Sequence, residues 1–315
     1  MSDLAILKVK TVLVTGGASG IGLAISTRFA RAGANVFIAD KQREVGHKVV
    51  GDLTSHGHNV TFAHCDVQDY NSCVAAFKQA AQHSLTGTID VVALMAGVLG
   101  DHGSLVEQVI RTKEQMSKDD IDEQSPPEPK HTALDVNLLG VYNCAYLALW
   151  YMSPRGPKGN DQDGTTTTNS LILIGSIVSY IDAPLFSDYQ TSKFGVRGLF
   201  RTLRYTTPSL NIRLNMLAPT FVRTPLVTPA LPVLKAAGMG PGHGLDFVDV
   251  ETVVDAAVKF AVDDRLHGRA WAVVAGKNGV GDLTVDLQDD EHGSWGGEAL
   301  EHVMQREEVK ETGPQ

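Results

Sequence analysis

Short apolar runs recur along this chain, separated by helix-period segments, and that alternation restricts the fold more than any other feature. The runs are Thr11 to Thr15, Asn35 to Ala39, Val60 to Cys65, Val91 to Met95, Leu171 to Gly175, Arg213 to Leu217 and Ala270 to Ala275. Strands written as near-continuous apolar segments are buried on both faces, as happens in parallel sheets covered by helices. Between the first two runs, Ile21, Ile25, Phe29 and Ala32 fall at helical spacing, and Gly33 follows where a C-terminal cap belongs. The expected fold is α/β: a single doubly wound parallel sheet of about seven strands with helices on both faces. A chain of 315 residues, 43% apolar and 20% charged, can bury such a core in one domain. That composition excludes disorder or a fibrous fold for the bulk of it.

Two segments fall outside the rhythm. Residues 101–130 carry eight acids and four bases and end in Ser125-Pro126-Pro127-Glu128-Pro129, whose prolines forbid helix. They are expected to form a solvated acidic insertion. Residues 281–315 hold ten acids and two bases, so nearly all of the formal charge of −9 resides there. They are expected to be an acidic C-terminal extension to a domain spanning 1–280, with Trp295 as one anchor point. The polar stretch Pro154 to Asn169 reads as a surface loop. An acidic chain repels a phosphate backbone, so nucleic acid is not expected as a partner. No run of 18 apolar residues predicts a membrane span, and no leader is legible, so a cytoplasmic location is expected. Cys65, Cys73 and Cys144 lack CxxC spacing and are read as reduced, mostly buried thiols.

Thr15-Gly16-Gly17-Ala18-Ser19-Gly20-Ile21-Gly22 joins the first strand to the first helix. Glycines let the chain turn sharply and let backbone N–H groups approach a pyrophosphate, and the helix N-terminus adds partial positive charge. Gly16, Ser19, Gly20, Ile21 and Gly22 are therefore candidate dinucleotide contacts in a Rossmann-type fold. Asp40 ends the second strand, where a carboxylate accepts the adenosine ribose hydroxyls and repels a 2′-phosphate, so NAD is favoured over NADP. Lys41 and Arg43 follow and are the features that would favour NADP. Asp66, with Val67, ends the third strand and could reach the adenine amino group or cap the next helix.

Tyr189-Gln190-Thr191-Ser192-Lys193 places a phenol and an ammonium on one helix face. A neighbouring cation lowers a phenol's pKa, so Tyr189 is the candidate acid/base. Ser176 follows the run Leu171 to Gly175 at a strand's carboxyl edge, where its hydroxyl could hold a substrate oxygen; Ser179 competes for that role.

Together, the Thr15–Gly22 turn, the Tyr189/Lys193 pair and the serine thirteen positions before the tyrosine resemble the short-chain dehydrogenase/reductase family over roughly residues 8–280. The resemblance implies that Asn137 is the family's catalytic-helix asparagine, holding a water in the proton relay. It also implies that Val222 and Thr224 contact the nicotinamide carboxamide. Two departures stand out. Leu94-Met95-Ala96-Gly97 replaces the usual Asn-Asn-Ala-Gly, although Ala96 and Gly97 still permit close cofactor approach, and Thr220 replaces the usual glycine after Pro219. Relatives self-associate, which implies a homodimer or homotetramer; Tyr142, Tyr146, Leu149 and Trp150 could form that face or pack inward.

The expected function is NAD-dependent hydride transfer between nicotinamide and a secondary alcohol or ketone, with Tyr189 moving the proton, Ser176 fixing the oxygen and Lys193 tuning the tyrosine. Residues 225–246 intersperse Leu226, Val227, Leu231, Val233, Leu234 and Met239 with prolines and glycines. They read either as an apolar lid over a bulky, mainly apolar small-molecule substrate or as a core-completing helix. The alternatives are an NADPH-dependent ketone reductase, or a non-redox cyclase, lyase or scaffold using the same pocket.

Overall fold

The computed structural model describes residues 3–84, 87–100, 103–116, 125–153, 168–182, 185–240, 246–276 and 281–289. Its main sheet has eight strands in the order β3-β2-β1-β4-β5-β6-β9-β10. The first six are β1 (Thr11–Thr15), β2 (Asn35–Asp40), β3 (Val60–His64), β4 (Val91–Leu94), β5 (Asn169–Ile174) and β6 (Ile212–Pro219). A separate two-stranded sheet pairs β7 (Phe221–Val222) with β8 (Phe247–Val248). β9 (Ala270–Val274) pairs parallel to β6, and β10 (Leu283–Asp286) pairs antiparallel to β9. The alternation of side chains splits the core. Leu13 joins the cluster on one face, while Val12 and Val14 join the cluster on the other.

One face is covered by α1 (Gly20–Arg31), α2 (Arg43–Ser55) and, from the chain's far end, Val250–Val262. The other is covered by α3 (Tyr70–Gln82), then Val141–Met152 and Ser187–Leu203. Between α3 and these two lies α4 (Leu105–Gln115). Taken in chain order, Val141–Met152 is α5, Ser187–Leu203 is α6, the short helix Leu231–Ala236 is α7 and Val250–Val262 is α8. Strand order reverses between β2-β1 and β4, which opens a crevice at the carboxyl ends of β1 and β4.

One reading of the chain's additions needs correction. The tail is not wholly a solvated extension: Leu283–Asp286 supplies the eighth strand, and Asp289 is fully buried. It accepts hydrogen bonds from the Tyr180 hydroxyl (2.8 Å), from Arg197 Nε and Nη2 (3.1 and 2.7 Å) and from Arg201 Nη1 (2.7 Å). Part of the solvated insertion is helical. α4 begins in a capping box in which Ser104 and Glu107 exchange side-chain and backbone hydrogen bonds. Trp295, the remainder of the tail, and residues 154–167 of the polar loop lie outside the described residues. The three cysteines are free and buried together, with Cys73 Sγ 3.9 Å from Cys65 and 3.7 Å from Cys144.

Candidate active site

The turn after β1 is shaped by contacts that exclude side chains. Gly16 adopts φ +64°, and a Cβ on it would stand 2.7 Å from Ala96 Cα; a Cβ on Gly22 would meet the Gly16 carbonyl oxygen at 2.2 Å. α1 therefore packs its first turn directly on the loop. Ser19 precedes it without capping it through the side chain. Thr15 Oγ1 accepts from Met95 N (3.1 Å) and Ala96 N (3.3 Å). That threonine ties β1 to the end of β4, a task the missing amide side chains at Leu94-Met95 leave open.

Gly16, Ser19, Gly20, Ile21 and Gly22 form one wall of a cleft of about 140 Å³. Gly97, Ser176, Tyr189, Lys193, Val222 and Thr224 complete it, so most of the predicted site residues share one cavity. Asp40 sits beyond it at the end of β2, buried, with Oδ2 accepting from Ala18 N (3.1 Å) and Oδ1 from Gln42 N (2.9 Å). Those bonds brace the carboxylate against the glycine turn and leave each oxygen a further lone pair. Asp66 Oδ1 accepts from Gln68 N, whereas Asp69 caps α3, which settles the helix-cap alternative for Asp66. The Val67 side chain is buried, and a Cβ on Gly140 would stand 2.8 Å from its Cγ2.

The candidate reactive side chains come from the loop after β5 and from α6. Ser176 Oγ accepts from Val178 N (3.4 Å), and its side chain lines the same cleft as Tyr189. Ser179, the competing serine, donates to the Lys193 carbonyl (2.9 Å) and accepts from Ser176 N (3.3 Å), so it braces the loop. Lys193 is 3% exposed, and its Nζ donates to the Ile174 carbonyl at 3.0 Å while lying 5.6 Å from the centre of the Tyr189 ring. Asn137 is fully buried where the helix Thr132–Leu134 widens into a π-type turn, Asp135–Gly140, before α5. Its Oδ1 accepts from Val98 N (2.8 Å), and its Nδ2 donates to the Val98 carbonyl (2.8 Å) and Ser192 Oγ (3.1 Å). With both amide donors committed, its side chain fixes the post-β4 loop on α6.

The electrostatics differ from the expectation for Tyr189. Burial pushes its phenol above the ordinary value, and the nearby Ser176 hydroxyl pulls only partly back. Burial also lowers the Lys193 ammonium to about 8. The two groups share a dry pocket in which each resists charge.

Sequence reasoning missed several contributors. Asp188, buried beside Tyr189, accepts from Ala133 N (3.1 Å) and Tyr189 N (2.9 Å), joining α6 to the end of the insertion. Beside Ser176 and Tyr189 lies a small, enclosed pocket of about 70 Å³. Leu99, Phe186, Leu226, Val227, Leu234 and Met239 are among its walls, so residues of the 225–246 segment face the site. In α7, Leu234 is buried against this pocket while Val233 is exposed. Residues 241–245 of that segment lie outside the described residues.

Comparison with known proteins gives a consistent result. The family model for short chain dehydrogenase matches residues 10–232. A 5′-hydroxyaverantin dehydrogenase of Dothistroma septosporum is 41% identical over 96% of this chain and 95% of its own length. A second protein of that description, from Emericella nidulans, is 37% identical with the same coverage. An NADP-dependent dehydrogenase of a Phoma species is 32% identical over 91% of this chain and 81% of its own. Among solved structures, that of gox2181 aligns with a TM-score of 0.64 at 26% identity, covering 87% of this chain and 96% of that one.

Proposed function

The chain belongs to the short-chain dehydrogenase family and is an NAD(P)-dependent oxidoreductase, and on that premise we propose that it uses NAD to oxidise a secondary alcohol on a bulky, mainly apolar substrate. The observation that carries this reading is that Ser176, Tyr189 and a buried Lys193 line one cleft with the glycine turn. Gly16, Gly20 and Gly22 would take the pyrophosphate against backbone N–H groups, and Val222 with Thr224 would hold the carboxamide. A bound nicotinamide supplies the hydride acceptor or donor.

This chain's own groups then do the positioning and the proton work. Ser176 holds the substrate oxygen beside the phenol. Tyr189 takes the hydroxyl proton in oxidation and returns it in reduction. Lys193, held by the Ile174 carbonyl, supplies positive charge beside the ring as the phenolate forms. Asn137 keeps the Val98 loop and α6 in register. Tyr189→Phe should fold and bind NAD as the wild type does while kcat falls about 100-fold or more. Turnover within threefold of wild type would remove Tyr189 from the reaction.

The preference for NAD rests on the Asp40 carboxylate at the end of β2, which would repel a 2′-phosphate. The NADP-dependent Phoma relative, with Lys41 and Arg43 here, favours the second reading; calorimetric titration with each dinucleotide separates the two. The substrate class agrees with the relatives described as 5′-hydroxyaverantin dehydrogenases and with the apolar walls around Ser176. Tyr142, Tyr146 and Trp150 are exposed on one stripe of α5, which supports self-association through that helix, while Leu149 packs partly on the core. Among the described residues no helix is long and apolar enough to cross a membrane. The buried free thiols suit the reducing cytoplasm.

A further inference from the structure

We propose that the inserted helix α4 is the second jaw of the substrate site, facing the Pro225–Val233 segment, and that the chamber between them receives the non-reacting apolar body of the substrate. The inference deepens the alcohol-oxidising reading and rests on it. The chamber measures about 850 Å³, within the range that encloses a drug-sized molecule. It shares Ser19 and Gly97 with the cofactor cleft, and Leu226 with both that cleft and the small pocket at Tyr189. The chamber therefore adjoins both the cleft and the small pocket at Tyr189.

The helix is held in place by the catalytic element. Leu105 N donates to Ser187 Oγ at 3.1 Å, in the first turn of α6, and the Gln108 side chain exchanges two hydrogen bonds with the Lys130 backbone. Yet no residue of α4 is buried, although it carries Leu105, Val106, Val109 and Ile110. Glu107, Ile110 and Arg111, at i, i+3 and i+4, line the chamber, and Val98, Phe186 and Val233 supply apolar surface from its other sides. Charge on this wall is confined to Glu107, which accepts from Ser104 N, and Arg111, so the apolar body packs on Ile110 while polar substituents remain at the mouth. A short-chain alcohol would leave this volume to water, and a polycyclic or similarly broad skeleton would fill it.

The test is Ile110→Asp in the full chain, since that side chain is 51% exposed and outside the capping box. Two alcohols share the reacting carbon: 1-phenylethanol, and 1-(pyren-1-yl)ethanol, whose fluorescence also reports binding directly. The variant should raise Kd and KM for the pyrenyl alcohol about tenfold while its kcat, its NAD affinity and kcat/KM for 1-phenylethanol stay within twofold. Unchanged pyrenyl binding, equal losses for both alcohols, or no pyrenyl binding to wild type would overturn the jaw. Wild type that binds the pyrenyl alcohol, weakened by the substitution, but oxidises neither alcohol would leave the jaw standing and overturn the oxidation reading.

Discussion

Replacing Asp289 by alanine should destabilise the enzyme by about 3 kcal/mol, a large effect for one residue of an acidic tail. The carboxylate is fully buried and takes four donated hydrogen bonds from Tyr180, Arg197 and Arg201, with the Arg197 guanidinium 4.0 Å above the Tyr180 ring. Removing one partner of a buried ion pair typically costs about 3–5 kcal/mol, because the remaining charge is left without compensation. The lower end applies here. The Arg197 and Arg201 side chains are 17% and 44% exposed and can partly recover water. For a domain of this size, 1 kcal/mol corresponds to about 2–4 °C, so a thermal melt should drop by about 6–12 °C. Asp286→Ala is the control: its pair with Arg269 is 2.7 Å long but more than a quarter exposed on both sides, and should cost less than about 1 kcal/mol. Burial raises the Asp289 carboxyl, but Arg197 and Tyr180 outweigh it and hold the group below its ordinary value. Its contribution is therefore present above the unfolded carboxylate pKa and is lost as pH falls through the lower folded one. The gap between wild type and Asp289→Asn should close over that acidic window. A melt within about 2 °C of wild type for Asp289→Ala would refute the buried clamp.

Two further outcomes follow from the site. Lys193→Met should abolish turnover yet raise stability at pH 7 by about 1–3 kcal/mol, because burial holds the ammonium near 8 against 10.5 in the unfolded chain; about 1.4 kcal/mol per unit is offset in part by the unpaired Ile174 carbonyl. The wild-type penalty is full below about pH 8 and fades toward 10.5, so a gap between melts that does not narrow over that range would count against it. Gly22→Ala would bring a methyl to 2.2 Å from the Gly16 carbonyl oxygen, so the turn must open and NAD affinity by calorimetry should fall about tenfold or more; unchanged affinity would detach the turn from dinucleotide binding.

Parallel strands buried on both faces write themselves as apolar runs, which is why the sheet from β1 to β9 is legible along the chain. β10 is not, because Leu283-Thr284-Val285-Asp286 gains its meaning from a partner strand and lies in an acidic tail whose charge suggests solvent. Asp289 is hidden for the same reason: Arg197 and Arg201 are 92 and 88 residues away. The glycine turn and the Tyr189/Lys193 pair are local in sequence and could be read. Ser176 is preferred over Ser179 only through the resemblance, by its thirteen-residue spacing to Tyr189; by position alone both follow the same strand, and the bond from Ser179 to the Lys193 carbonyl lies on another element. α4 did leave a local signal: Ser104 and Glu107 stand at capping-box spacing before an apolar pair, inside a segment whose prolines and acids drew attention to solvation. The direction of the Tyr189 shift was out of reach because spacing places a cation nearby but says nothing of how much water is excluded.

The insertion and the tail, the two additions to the common sheet, converge on one element. Ser187 and Asp188, in the first turn of α6, bind the N-terminus of α4 and the Ala133 amide. One and two turns beyond Lys193, Arg197 and Arg201 hold Asp289 of the tail, and Tyr180, just after the Ser176–Ser179 loop, binds the same carboxylate. Tyr189 and Lys193 lie between these grips. Proton transfer needs the phenol within hydrogen-bond reach of substrate, and misplacement of about 1 Å can cost about 100-fold in rate. A lysine buried against its own charge weakens the pocket that contains it, so external restraint on α6 has a physical use. Both additions are thus tied mechanically to the helix that carries Tyr189 and Lys193, and loosening either should be felt in kcat as well as in stability.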